Sequence, residues 1–99
     1  MRPILIAEMD KMRPVVLMTR ESVAGRMARV TVALITSTIR GLSTEVAVGP
    51  ENGIEHESVI SCDNLTTIPA EDLRYRVGTL NPEQERKLAE AIMVAFDLY

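Results

Sequence analysis

The chain has 99 residues, 46% of them hydrophobic, which is enough for one globular core and excludes an intrinsically disordered protein. Its single cysteine excludes an intramolecular disulfide, and no apolar run reaches the roughly 18 residues of a transmembrane helix. The net charge of −3 combines residues 1–44, with seven basic and three acidic groups, and residues 45–99, with four basic and eleven acidic groups. This asymmetry indicates an anion-binding face or simply an uneven surface.

The first eighty residues have the pattern of short strands separated by turns. Runs rich in β-branched and apolar residues alternate with glycine and proline, most clearly at residues 49–53. Strands are predicted at residues 4–8, 14–19, 30–36, 44–48, 58–62 and 74–77. Many short strands with tight turns are typical of a small barrel or a curled sheet.

The C-terminal segment changes to a helical period. Asn81 is a good N-cap, Pro82 suits the first helical position, and Gln84 completes a capping box. An apolar stripe then follows at helical spacing, formed by Leu88, Ile92, Ala95 and Phe96. These residues predict one amphipathic helix that packs on the sheet or on a second subunit. We expect a single domain over residues 1–99, in the cytoplasm, because the N-terminus lacks the pattern of a signal peptide.

Several kinds of catalytic site are missing from the sequence. It contains no glycine-rich phosphate loop, HExxH, paired CxxC or GxSxG motif. His56, the one histidine, stands between Glu55 and Glu57, where it is either a general base, a metal ligand or a solvated loop residue. We favour the solvated residue because no second histidine or cysteine completes a site. Cys62 lies in an apolar strand and is expected to be an inert buried thiol.

Two segments together carry a resemblance to a known family. In Met12–Leu17 an arginine precedes the proline that opens a buried strand, and in residues 33–38 an apolar strand ends in three hydroxyl residues. In this order and spacing, the chain resembles the MazF/PemK toxin family. Weaker matches continue through residues 57–60, 63–64 and 77–80 and end in the C-terminal helix.

The resemblance implies a mainly β protein, an SH3-like small barrel with a C-terminal α-helix, assembled as a homodimer. It also implies the toxin of a type II toxin–antitoxin system, inhibited by a cognate antitoxin protein. Such a toxin is an endoribonuclease that cuts single-stranded RNA at short sequences, without a metal or cofactor. The 2′-hydroxyl attacks the adjacent phosphate, which gives 2′,3′-cyclic phosphate and 5′-hydroxyl ends.

The family's functional positions carry over to particular residues here. Arg13 matches the catalytic arginine and Thr36 the active-site threonine, although each alone is also consistent with an ordinary surface or strand residue. A guanidinium can bind two phosphoryl oxygens at once, and a hydroxyl can donate to a third. Substrate contacts are expected from Arg20, Ser37, Thr38, Ser58, Asp63 and Asn64. Asp63 and Asn64 are equally consistent with turn residues, and the pattern identifies no general base.

The chain also departs from the family pattern. The connection before Arg13 is short, so the sequence does not give the RNA sequence that is cut. One alternative is a gyrase-inhibiting toxin of the CcdB type, although such toxins act through a tryptophan-containing end and this chain has no tryptophan. The other alternative is a non-catalytic barrel that binds RNA or a protein.

Overall fold

A computed structural model describes residues 1–98 as a six-stranded antiparallel sheet with two helices. All six predicted strands and the C-terminal helix are present, whereas a four-residue helix after β2 was not predicted. The elements are β1 Pro3–Glu8, β2 Met12–Leu17, α1 Glu21–Ala24, β3 Arg29–Thr36, β4 Glu45–Val48, β5 Ser58–Pro69, β6 Leu73–Thr79 and α2 Pro82–Ala95. Short 3-10 turns lie at Pro50–Asn52 and Ala70–Asp72.

β5 continues well beyond its predicted end and contains a bulge. Along β3 the pairing moves from Leu65, opposite Ala33, to Ser61, opposite Leu34. Residues 62–64 therefore have no partner on β3, and an irregularity of this kind bends the strand. Asp63 and Asn64 thus lie within a bulged strand, so their interpretation as turn residues was wrong.

The strand order is β4-β5-β3-β2-β1-β6, which leaves β4 and β6 as the two edges. The hydrogen-bonded sheet is therefore curled but not closed, which is the second of the two forms that the strand pattern predicted. The mainly β fold with a C-terminal helix is confirmed. What bridges the two edges is the 3-10 turn Pro50–Asn52, which follows β4 and contacts β6.

Two glycines allow this turn to lie directly on β6. A Cβ atom on Gly53 would stand 2.1 Å from the carbonyl oxygen of Val77, and one on Gly78 would stand 2.0 Å from that of Asn52. Gly53 also has a φ of 84°, a conformation that residues with side chains rarely adopt. Only glycine fits at either position, so the backbone of the turn is in direct contact with the backbone of β6, at the edge where the sheet is not closed by strand pairing.

A buried pair of amides fixes the same junction. Asn52 and Gln84 are 2% and 7% exposed. The Asn52 amide nitrogen donates to the Gln84 side-chain oxygen at 2.7 Å and to the Thr79 carbonyl at 3.0 Å. Gln84 donates in turn to Asn52 at 3.0 Å and to the Ala47 carbonyl at 3.1 Å. The predicted capping box at Asn81 therefore also connects α2 to both edges of the sheet.

The curled sheet buries an apolar cluster on each face. On one face α2 inserts Leu88 and Ala91 against strand residues that include Ile4 and Ile60. The other face packs Ala7, Val15, Leu17, Val30, Val32 and Ile68 together. Each fully buried aliphatic side chain contributes about 1.5–3 kcal/mol, so the two clusters hold the strand ends in place. Neither helix within residues 1–98 has the length and apolar character needed to span a membrane.

Candidate active site

The register of β2 and β3 brings Arg13 and Thr36 together. Val15 pairs with Leu34 and Leu17 with Val32. Continuing this register by two residues sets Arg13 opposite Thr36. Residues directly opposite on antiparallel strands have side chains on the same face, with Cβ atoms about 4.5–5.5 Å apart. The two residues that the sequence singled out therefore lie at the same ends of neighbouring strands, two residues beyond the last paired positions of β2 and β3.

This pair lies at the junction of two grooves, of about 670 Å³ and 500 Å³, both lined by Arg13, Ile35, Thr36 and Thr38. The larger, here the tyrosine groove, is also lined by Lys11, Ser37, Glu55, His56, Ser58 and Tyr75. The smaller, here the acid–amide groove, is also lined by Asp10, Arg40, Glu45, Ser61, Asp63 and Asn64. A strand of nucleic acid that crosses the pair would have one groove on each side.

Most of the predicted substrate-binding residues line one of these grooves. They are Ser37, Thr38 and Ser58 in the tyrosine groove, and Thr38, Asp63 and Asn64 in the acid–amide groove. Arg20 is the exception, because it lies beyond the opposite end of β2 from Arg13 and serves as the N-cap of α1. It lines a separate groove of about 430 Å³ with Arg2 and Glu85, which shares no residue with the other two.

The guanidinium of Arg13 is held by Asp10, a residue that the sequence analysis did not select. Arg13 donates from Nε to one Asp10 oxygen at 2.7 Å and from Nη2 to the other at 2.8 Å. These hydrogen bonds hold the pKa of Asp10 well below its usual value and raise that of Arg13. The pair therefore occupies one edge of the guanidinium and leaves the Nη1 edge available to an anion.

The Thr36 hydroxyl accepts one hydrogen bond within the protein and can donate another to a ligand. Its Oγ1 accepts a hydrogen bond from the backbone amide of Thr38 at 3.1 Å, in the turn that follows β3. A hydroxyl that accepts in this way can still donate. Thr36 and Arg13 thus present donors toward the same junction, which is the arrangement that stabilises developing negative charge on an oxyanion.

Local contacts order the polar residues of the acid–amide groove. Thr44 donates to one Asp63 oxygen at 2.6 Å, and Asn64 donates to the Ser61 hydroxyl at 2.9 Å. Glu45 accepts from backbone amides of the loop before β4, including that of Gly41 at 2.8 Å. One Asp63 carboxylate oxygen and the side-chain oxygen of Asn64 therefore remain as acceptors, suited to the amino groups on base edges.

His56 and Cys62 have different surroundings. His56 lines the tyrosine groove with its side chain 78% exposed and its Nε2 3.9 Å from Glu55, as expected of a solvated residue. Cys62 is buried, and burial, with a smaller contribution from Asp63, raises the pKa of its thiol to about 11. This agrees with an inert thiol. Within residues 1–98, no three or more His, Cys, Asp or Glu side chains are grouped to hold a metal.

The sequence analysis missed two further residues of the site, Asp10 and Tyr75. Asp10 stands three residues before Arg13 in the β1–β2 connection, a spacing that a tight turn makes compatible with an ion pair. That spacing was the available signal for Asp10. The sequence gives no signal for Tyr75, because this residue lies on β6, which is far from Arg13 in the chain. β6 comes close to β2 only because β1 lies between them in the sheet.

Comparison with known proteins identifies the family. The family described as "PemK-like, MazF-like toxin of type II toxin-antitoxin system" matches residues 3–96. Endoribonuclease MazF3 of Mycobacterium tuberculosis is 56% identical over 98 residues, 99% of this chain and 95% of that protein. The solved structure of the Mycobacterium tuberculosis toxin MazF-mt6 aligns with a TM-score of 0.96 and 55% identity, covering 99% of both chains. The chain therefore belongs to the PemK/MazF family of toxins of type II toxin–antitoxin systems.

Proposed function

We propose that this toxin is an endoribonuclease that cuts single-stranded RNA by attack of a ribose 2′-hydroxyl on the adjacent phosphate. The observation that carries the proposal is the position of Arg13 and Thr36 at the ends of neighbouring strands, where both line the two grooves that meet there. The 56% identical relative named endoribonuclease supports the same activity. A groove on each side of the pair suits an extended strand, whose unpaired bases are accessible to side chains.

Each donor has a defined part in the reaction. The attack forms a bond from O2′ to phosphorus and breaks the bond from phosphorus to O5′; the 2′-hydroxyl loses its proton and the 5′-oxygen gains one. Negative charge grows on the equatorial oxygens, where the free edge of Arg13 donates two hydrogen bonds and Thr36 donates a third. Because the nucleophile belongs to the substrate, this step needs no metal-bound water. The products are a 2′,3′-cyclic phosphate and a 5′-hydroxyl.

Asp10 acts as a positioning residue in this proposal. Its two oxygens hold one edge of the Arg13 guanidinium, which directs the other edge into the junction. Its lowered pKa makes it a weak base, so we do not assign it the proton of the 2′-hydroxyl. Asp10→Asn should lower kcat more than it raises KM, because the arginine remains but loses its fixed orientation. The thermal unfolding temperature checks that the variant folds.

Recognition of the substrate is assigned to the polar residues of both grooves. Ser37, Thr38 and Ser58 contact the strand on one side of the scissile phosphate, and Asp63 and Asn64 read base edges on the other. Arg20 is left out of the site because it lines a different groove.

The partners follow from the family. We propose that residues 1–99 form one domain that assembles as a homodimer in the cytoplasm and is inhibited by a cognate antitoxin protein. An endoribonuclease from a mycobacterial species, solved in complex with its cognate antitoxin, has the same fold, with a TM-score of 0.86 at 22% identity. An antitoxin segment that covers the junction of the two grooves would compete directly with RNA.

The test is RNA cleavage in the presence of EDTA. Purified protein should give fragments with 2′,3′-cyclic phosphate and 5′-hydroxyl ends, and sequencing the 5′-hydroxyl ends should map the cut sequence. Arg13→Ala should abolish cleavage, and Thr36→Ala should slow it by about 10²–10³-fold. Arg20→Ala is the matched control, since it removes an arginine from the separate groove and should leave the rate near that of the unmodified protein. A strict requirement for magnesium, or full cleavage by Arg13→Ala, would overturn the proposal.

A further inference from the structure

Tyr75 supplies an aromatic surface to the candidate site. Among the residues that line the two grooves in the described part of the chain, the only aromatic rings are that of Tyr75 and the smaller imidazole of His56. It is 57% exposed although it lies within a strand, so its ring is largely uncovered by the protein. An uncovered ring in a groove offers a flat apolar face to a ligand.

The strand register places the backbone of Tyr75 close to the residue that follows Arg13. Tyr75 pairs with Ile6 of β1, and Ile6 pairs with Pro14 of β2, the residue that follows Arg13. Tyr75 is therefore two strands from Pro14, a backbone separation of about 10 Å. Its backbone is fixed by the pairing with β1, so the ring can be used without ordering a flexible loop.

A cation accompanies the ring. Lys11 lines the same groove and, in the part of the chain that the structure describes, forms no ion pair with a carboxylate. An ammonium group without a carboxylate partner is available to a phosphate. Aromatic faces for bases combined with cations for the backbone are the usual features of proteins that bind single-stranded nucleic acid.

We propose that Tyr75 is a base-stacking residue for the RNA substrate. In this arrangement its ring stacks on an unpaired base close to the scissile phosphate, and Lys11 contacts a neighbouring backbone phosphate. The inference rests on the proposed ribonuclease function and adds to it a side-chain platform for one nucleotide on the tyrosine-groove side of the cut. Every base has a π face, so this contact strengthens binding with little preference among bases.

The first experiment compares substitutions of Tyr75 on a non-cleavable RNA. The probe is the cleavage site mapped with the unmodified protein, with 2′-deoxyribose at the attacking nucleotide. Tyr75→Ala should weaken binding roughly 5- to 150-fold, the range measured for loss of base–aromatic stacking. Tyr75→Phe should keep the affinity within about twofold, and Tyr75→Leu should behave like the alanine variant although it restores apolar volume. Equal affinity of the alanine variant and the unmodified protein would overturn the inference.

A second experiment locates the stacked base. Single abasic substitutions along the probe should weaken binding by the unmodified protein at one position near the cut, and Tyr75→Ala should show no further loss there. Lys11→Gln should reduce the slope of log affinity against log salt concentration by about 0.7, because one phosphate contact to a single strand is lost. An additive effect of Tyr75→Ala and every abasic substitution would contradict stacking.

A spectroscopic readout separates contact from folding. The chain has two tyrosines and no tryptophan, so 3-fluorotyrosine labelling gives two ¹⁹F signals, which the Tyr99→Phe variant assigns. The Tyr75 signal should shift on addition of the RNA probe. If the unmodified protein fails to cleave RNA in EDTA, the proposed function is wrong. If it cleaves but the Tyr75 signal is unmoved, or moves only with an antitoxin peptide, only the present inference is wrong.

Discussion

The buried amide of Gln84 provides the sharpest test of how this sheet is held together. Gln84→Met keeps most of the side-chain volume and helix propensity but removes every polar atom. Four side-chain hydrogen bonds of 2.7–3.1 Å disappear: two with Asn52, one with the Ala47 carbonyl and one with the Asn81 amide. These bonds join α2 to the turn that bridges β4 and β6, so their loss should loosen the open side of the sheet.

The size of the effect follows from what remains after the substitution. Asn52 keeps its hydrogen bonds to the Thr79 carbonyl and from the Gly49 amide, so neither end of its amide is left without a partner. The loss is therefore close to four ordinary hydrogen bonds, or about 3–5 kcal/mol at roughly 1 kcal/mol each. A domain of this size has a free energy of unfolding of about 5–15 kcal/mol, so the variant should lose a large part of it.

Urea and thermal unfolding measure this effect. The free energy of unfolding should fall by about 3–5 kcal/mol, and the unfolding temperature should fall by at least about 12 °C. Glu90→Gln on the exposed face of α2 is the matched control and should change the free energy by no more than about 0.5 kcal/mol. A Gln84→Met variant within about 1 kcal/mol of the unmodified protein would refute the argument that the amide pair closes the sheet.

The turn held by Gln84 leads directly into the wall of the tyrosine groove, which contains Gly53, Ile54, Glu55 and His56. Hydrogen exchange of residues 49–57 should therefore become faster in Gln84→Met, even at temperatures where the protein is still folded. The KM for RNA should rise as this wall becomes mobile, with a smaller change in kcat, because Arg13 lies on a different element. If hydrogen exchange in residues 49–57 is unchanged, the prediction is wrong: the Gln84 network then stabilises the protein without fixing the wall of the groove.

Three further predictions concern single positions. Gly78→Ala should severely destabilise the protein in urea unfolding, because its Cβ would stand 2.0 Å from the Asn52 carbonyl oxygen, and backbone atoms on both sides would have to move. Asn81→Ala should lower the free energy of unfolding by about 1 kcal/mol, because the backbone N–H of Gln84 loses the side-chain oxygen to which it donates at 2.8 Å. The pKa of Cys62 is raised from 9.0 to about 11, so the unfolded chain loses the thiol proton first. Stability should therefore fall by about 2–3 kcal/mol between roughly pH 9 and 11, a fall that is absent from Cys62→Ala in unfolding measured across that range.

The parts of the fold that could be predicted are those encoded by neighbouring residues. The N-cap at Asn81 and the strand that ends at Thr36 follow from local chemistry and from apolar spacing, and both are present. The helix Glu21–Ala24 was missed because four residues are too few to show a period; its first turn closes when amides of Val23 and Ala24 donate to the Arg20 carbonyl.

The parts that could not be predicted depend on strands distant in the chain. Asp63 and Asn64 have the composition of a turn, yet β3 pairs with the residues on both sides of them, so the segment stays extended and forms a bulge. Tyr75 enters the site only because β1 lies between β6 and β2. The ion pair between Asp10 and Arg13 required knowledge of the path of the β1–β2 connection.

The positions and the pairing of the charged groups explain how an acidic protein can bind a polyanion. Several of the acidic residues in the second half of the chain lie on α2, and no described residue of α2 lines either groove. In the acid–amide groove, the Asp10 and Glu45 carboxylates are already engaged by Arg13 and by backbone amides. The free edge of Arg13 and the ammonium of Lys11 then remain available to a phosphate, and the influence of more distant charges is screened at physiological salt. Affinity for RNA therefore depends on which charges are satisfied locally, and the net charge of −3 does not predict it.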